Sequence, residues 1–468
     1  MIVGAEIIKM LFDYSDDEMV DNLMLDPRFQ LALHTTSFDE QPLSDKSLSR
    51  FRRRCYDYEK THGVDLYHDC VTGLAEATAR MMGIDKRIRR MDSLMVEANI
   101  RKLSRMELIY TCISKLIRYL HKNGHDDMIG HMEHYYDPND FNRVIYHSRS
   151  TDADKRIGVL LKDADLLLEK CGNDFEEITE YQLFVRCLSE QTIVEAGKRR
   201  LRTKEDGGMN SSIMQNPSDP DATYREKAGK KHRGYAANVE ESVGKNGSVV
   251  TDYQLDSNNK SDSEFFQEHV EKIGPQEEKT IISADGAYSG EENTELAAKN
   301  NIDLVTTDLT GRDVDPVMGA FELNEDGTRV LHCPAGNAPR SNWYNKATGI
   351  INISFERDKC ANCPFAMHCK PKIFKKVSKL TVSRKMVNRA LTQARMNTEQ
   401  FKLLARIRNG VETVPSALKN IYNVNHMPVR GKIPCKHFFG SKIAALNFRK
   451  LLRFRQGTGH YGQNPLLA

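Results

Sequence analysis

The sequence predicts an α/β fold in which a mixed sheet is covered by helices, and three observations predict it. The apolar period shifts from helical to alternating after residue 222. A solitary strand-like run at 88–97 precedes a long helical tract at 101–200. Helical runs then separate the later strands. With 468 residues, 39% hydrophobic and 28% charged, the chain can fill two or three domains. No uncharged apolar run of about 18 residues exists, so no membrane span is expected.

Residues 1–85 read as a helical N-terminal domain. Met1 to Phe12 carries Glu6 and Lys9, lacks a small-residue cleavage site, and reads as an amphipathic helix rather than a signal peptide. Ser15-Asp16-Asp17-Glu18 is a cap with first-turn acids. Leu43-Ser44-Asp45 then opens a basic helix carrying Arg52, Arg53 and Arg54, the pattern of a major-groove reader or of an ordinary bundle surface. The run Ile88 to Val96 is a strand with Asp92 in its middle, and residues 203–222 form a polar connector. Beyond it, Tyr235–Val239, Ser248–Thr251, Thr280–Asp285 and Asp303–Thr307 read as strands, with helices at 264–273 and 290–300.

The formal net charge of +3 conceals an asymmetry. Residues 371–468 hold twenty Lys and Arg against two acids, Glu399 and Glu412, a balance of +18 that leaves −15 for the rest. A segment so basic predicts a polyanion-binding surface, with DNA as first candidate.

Three carboxylates stand out. Asp285 ends a strand, where functional side chains of open α/β sheets gather, although an Asp there also caps turns. Asp92 lies within an apolar strand, where it must be wet, paired or metal-bound. Glu412 is flanked by Arg408 and Lys419, which share its face in a continuous helix; the plain alternative is a surface ion pair with Arg408. Asp219 and Asp221 compete with Asp92, but they sit in a Pro-flanked loop. Separately, Cys333, Cys360, Cys363 and Cys369, spaced C-x26-C-x2-C-x5-C, have the residues for a closed structural zinc site within 331–372. Ten cysteines in so long a chain do not make a secreted disulfide framework.

Together these pieces resemble the DDE transposases of bacterial insertion sequences. The resemblance rests on Asp92-Ser93 with Asn99, on Asp285-Gly286-Ala287-Tyr288-Ser289, and on Arg408-x3-Glu412-x6-Lys419. The last matches the Y-x2-R-x3-E-x6-K signature except that Ala405 stands where its Tyr would be, and Pro415 places Glu412 at a kink or a helix start. The resemblance implies an RNase H-like core over 86–330, with the helical tract inserted after its first strand and the third acid in a basic part at 373–468. It implies Asp92, Asp285 and Glu412 as catalytic ligands of two Mg²⁺ (or Mn²⁺) ions. Arg408, Lys419, Arg52, Arg53 and Arg54 are then expected on DNA. The expected activity is cutting element ends and joining them to target DNA, by a homodimer or larger multimer in a bacterial, nucleoid-associated cytoplasm. The alternatives are an inactive, N-terminally truncated DNA-binding relic and a metal-dependent nuclease of the same fold.

Overall fold

The structure, a computed structural model, describes residues 1–35, 43–44, 46–137, 139–145, 152–172, 174–227, 229–306, 313–410 and 412–458. Asp45 and Thr307, expected in a cap and a strand, lie outside them. Among the described residues no helix is long and apolar enough to cross a membrane.

Among the described residues five helices precede the first strand: Ile2–Phe12, Asp16–Leu25, Pro27–Leu33, Ser47–His62 and Leu66–Met82. Ser15 and Glu18 form a reciprocal capping box, as the cap pattern predicts. Glu6 and Lys9 do not make a wet face on the first helix. Both are buried, Glu6 against Arg52 at 2.6 Å and Lys9 against Asp16 at 2.5 Å. These helices do not fold apart from the sheet. Ile7, Met10, Tyr67 and Val71 share one core with Leu94, Val239, Tyr253 and the last helix, Lys432–Arg455.

The main sheet contains β1 (Ile88–Glu97), β2 (Thr223–Lys227), β3 (Lys230–Gly244), β4 (Gly247–Ser257), β5 (Thr280–Ala284) and β6 (Ile302–Thr306). β1 is flanked by antiparallel β3 and parallel β5; β4 and the short β2 pair with β3, and β6 lies beyond β5. This mixed order is consistent with the RNase H-like fold that the resemblance implies. β1 carries apolar residues on both sides because both are covered. Met91 and Met95 face the side of Phe266 and Phe265, whereas Leu94 and Val96 face the C-terminal helices. Gly234 is required where β3 passes the end of β1, since a Cβ there would lie 2.3 Å from the Val96 carbonyl oxygen.

Between β1 and β2 stand helices at Arg105–Lys122, Ala153–Cys171 and Thr179–Gln191, among shorter ones, with a core of their own around Ile113, Leu116, Leu167 and Phe184. A hairpin at 192–201 follows these helices. After β6, a small four-stranded sheet orders Ser341–Asn345, Ile350–Glu356, Val377–Val382 and Lys372–Ile373. Helices Arg384–Met396, Glu399–Asn409 and Thr413–Asn420 then return over the main sheet. Phe401, Leu404 and Ile407 seat the second of them on Ile281 and Val305 of β5 and β6.

Candidate active site

Asp92 and Asp285 lie on neighbouring parallel strands at matching height. Arg90 of β1 pairs with Ser283 of β5, and each aspartate follows two residues later, so both carboxylates leave the same face. Asp285 caps the turn Gly286–Tyr288 through the Gly286 N–H, as its plainer reading expected. Its side chain is nonetheless 47% exposed, and Arg408 stands 3.5 Å from its other oxygen.

Asp92 accepts the Ser93 N–H at 2.9 Å. Burial pushes its pKa up to about 6; the Ser93 N–H and the Arg408 cation oppose that rise, while the charges of Asp285 and Asp262 add to it. A pair of oxygen donors, one of whose charge is disfavoured by burial, suits a hard divalent ion, which would favour the charged form. Beneath the pair, the buried Tyr288 hydroxyl donates to Asn238 at 2.7 Å, and the Asn238 amide donates to Gln254 at 2.8 Å.

Arg408, Glu412 and Lys419 do not share one helix face. The helix carrying Arg408 ends at Asn409, and the next begins at Thr413 with Glu412 as its N-cap residue and Pro415 in its first turn. The break follows from packing: buried Arg90 donates to the Ile407 carbonyl at 2.9 Å, and a Cβ on Gly410 would lie 2.1 Å from its guanidinium. The Glu412 side chain is exposed, and its carboxylate has no hydrogen-bond or ion-pair partner among the described residues, so it is not paired with Arg408. Lys419 is half-buried. Burial and the neighbouring Lys227 and Lys230 lower its pKa, against the pull of Glu97 and Asp92. It is a cation among cations at the edge of the aspartate pair.

The structure brings together Asp92, Asp285 and Arg408, with Lys419 alongside, and leaves other candidates elsewhere. Asp219 is fully buried and accepts the Tyr235 hydroxyl at 2.5 Å; Asp221 is exposed near the Lys432 N–H. Arg53 and Arg54 are exposed, whereas Arg52 is held between Glu6 and Asp16 and so has no free guanidinium for a phosphate. Two features went unread in the sequence. Asp262 opens the helix Asp262–Ile273 inside a capping box, which disguises it as an ordinary first-turn acid; it is 9% exposed and its charge acts on Asp92. Lys227 and Lys230 flank the tip of the β2–β3 hairpin, which leaves the sheet where Gly234 meets Glu97 of β1.

Cys333, Cys360, Cys363 and Cys369 all line one cavity of about 20 Å³. Burial and the other three thiols push the Cys369 pKa up to about 11, a crowding that a bound cation would relieve. Four soft donors around one small cavity suit zinc, yet among the described residues only Glu59, Asp65 and His437 bring three ligand atoms within 4.8 Å of one another. In that second group the Lys436 ammonium already lies against both carboxylates.

Residues 332–452 match the family model of the transposase DDE domain. The matched stretch is about a quarter of the chain; it includes the four cysteines, Arg408, Glu412 and Lys419, and excludes Asp92 and Asp285. No curated protein sequence matches the chain. A cryo-EM structure of the piggyBac transposase synaptic complex with hairpin DNA is similar at 10% identity and a TM-score of 0.25, covering 89% of this chain and 78% of that one. A likeness that low bears no weight for fold or activity. The family match supports a DDE transposase.

Proposed function

We propose that this chain is a DNA transposase of the DDE type, encoded by a bacterial insertion sequence, that cuts element ends and joins them to target DNA. The observation that carries the reading is the placement of Asp92 and Asp285 side by side on neighbouring parallel strands, with Arg408, from the segment matching the transposase DDE domain, 3.5 Å from Asp285 and acting on the charge of Asp92. Asp92, Asp285 and Glu412 would hold two Mg²⁺ ions, which when bound supply an activated water or 3′-hydroxyl and stabilise the leaving oxygen of a phosphodiester. Arg408 offsets part of the repulsion between the two aspartates and is placed to meet a DNA phosphate beside them. Lys419 receives the backbone beside Asp92. No side chain is needed as a covalent nucleophile. The four cysteines would hold a structural zinc ion, and the enzyme works as a multimer that synapses two ends, in a bacterial cytoplasm.

A specific observation favours one variation: Asp262 is nearly buried and acts on Asp92, whereas the exposed Glu412 carboxylate has no partner among the described residues. The test is a strand-transfer assay with element-end DNA and Mg²⁺. Asp92→Asn, Asp285→Ala and Glu412→Ala are expected to abolish both cleavage and joining without loss of fold. Activity surviving Asp285→Ala sinks the mechanism. Activity surviving Glu412→Ala but lost in Asp262→Ala moves the third acid to Asp262.

A further inference from the structure

The four-stranded sheet at 341–382 has two unlike faces. Ile351, Ile353, Phe355 and Val382 pack into the core beneath it. On the opposite face, the register sets Trp343, Asn352 and Thr381 in one row across the strands, and Ser341, Ser354, Lys379 and Lys372 in the next. This face borders a cleft of about 860 Å³ that is also lined by Phe374 and Lys370. Trp343 is 62% exposed and Phe374 49% exposed. One exposed ring means little. Here the only tryptophan of 468 residues shares a cleft with a second exposed ring, and Lys379 Nζ lies 5.5 Å from the centre of that ring. Between Lys370 and Lys379 there are five lysines and no acid, and none of them pairs with a carboxylate among the described residues. The acids that line the cleft are Asp313, which accepts Gln393, and Asp315, which is engaged by His368.

We propose that this face binds single-stranded DNA. Unpaired bases stack on Trp343 and Phe374, backbone phosphates meet Lys370, Lys372 and Lys379, and Asn352 and Thr381 bond to base edges or sugars. Flat aromatic rings interleaved with lysines suit a strand whose base faces are free; in a duplex those faces are hidden within the stack. The inference takes from the preceding reading only that DNA is the partner, and needs no chemistry at Asp285.

Trp343 supplies its own reporter. Titrating the full chain with a 12-residue oligo(dT) is expected to quench its emission. With a labelled oligonucleotide, Trp343→Ala and Phe374→Ala should each weaken binding about tenfold, and Trp343→Tyr should retain most of it. Circular dichroism checks each fold, and Phe374→Ala carries the test if Trp343→Ala does not fold. Unaltered emission at saturating oligo(dT), or unaltered affinity in Phe374→Ala, overturns the proposal. So does a duplex of equal length that binds more tightly and quenches as fully. Loss of strand transfer with oligo(dT) binding intact would count against the transposase reading and leave this face standing.

Discussion

Two lysine-rich stretches of the basic C-terminal segment look alike in sequence and behave oppositely in the fold. In the last helix, Lys432 pairs with Asp256 at 2.5 Å, Lys436 with Asp65 at 2.8 Å and also with Glu59, and Lys450 with buried Glu241. Lys442 is 3% exposed and lies over the Phe438 ring. Farther back, Arg384 and Arg395 reach Glu291 and Asp303. All of these acids belong to the body whose balance is −15. By contrast, Lys370, Lys372, Lys375, Lys376 and Lys379 face water without an acidic partner among the described residues. An asymmetry of +18 against −15 is therefore in part an internal interface, and only the remainder is a surface for a polyanion.

The largest effect expected from this contrast is on stability. Glu241 is fully buried between Arg90, at 2.5 Å, and Lys450. Glu241→Gln leaves two cations facing an uncharged amide in a desolvated pocket, and should cost about 3–5 kcal/mol in chemical denaturation. The double variant Glu241→Gln/Lys450→Met should recover part of that loss. If Glu241→Gln costs less than about 1 kcal/mol, the pair behaves like a surface one and the contrast fails.

A second effect lies in the pH dependence. His269 is buried between Glu240, at 2.7 Å, and Asp252, at 3.2 Å. Burial disfavours its charged form, but the two carboxylates override that and raise its pKa from 6.5 to about 9. Its contribution is thus fully present below about pH 6.5 and is lost as pH rises through 9. Glu240, lowered to about 2 against its burial by His269 and Arg89, contributes above about pH 4.5 and loses that contribution as pH falls toward 2. Stability should plateau between those limits and fall on the alkaline side by about 3 kcal/mol. Urea midpoints measured from pH 5.5 to 9.5 should show that limb in the wild type and a flat line in His269→Gln.

The same contrast marks what the sequence could disclose. Helices and strands were legible because burial imposes a period: β1 falls on 88–97, and Asp285 follows the last residue of β5. The pairings of charges were not. Arg52 and its partner Glu6 are 46 residues apart, so the stretch Arg52-Arg53-Arg54 reads as uniformly solvent-facing although its first guanidinium is internal. The helix break before Glu412 was half legible, since Pro415 signals it, but the force behind it is Arg90 pressing on Gly410 across 320 residues. Asp262 was invisible for a different reason: a first-turn acid in a capping box has a sufficient local explanation, and only the folded sheet sets it near Asp92.

The smallest effect sharpens the comparison most, because it separates the two stretches by one observable. Binding to duplex DNA weakens with salt at a slope of about −0.9 per phosphate neutralised. If all twenty bases of residues 371–468 faced DNA, the slope would be very steep. With Lys436, Lys442 and Lys450 largely held within the fold and the half-exposed Lys432 paired with Asp256, those four contribute little to it. Lys375→Gln and Lys376→Gln are therefore expected to leave thermal stability within about 0.5 kcal/mol, and each to flatten the log–log salt slope by about 1 if its lysine meets a phosphate. Lys432→Gln should do the reverse, lowering stability while the slope stays put, because its ammonium lies against Asp256 rather than against a ligand. Equal slope changes from Lys432→Gln and Lys375→Gln, measured by anisotropy between 50 and 200 mM salt, would mean that the internal pairs open on DNA and that the whole segment acts as one surface.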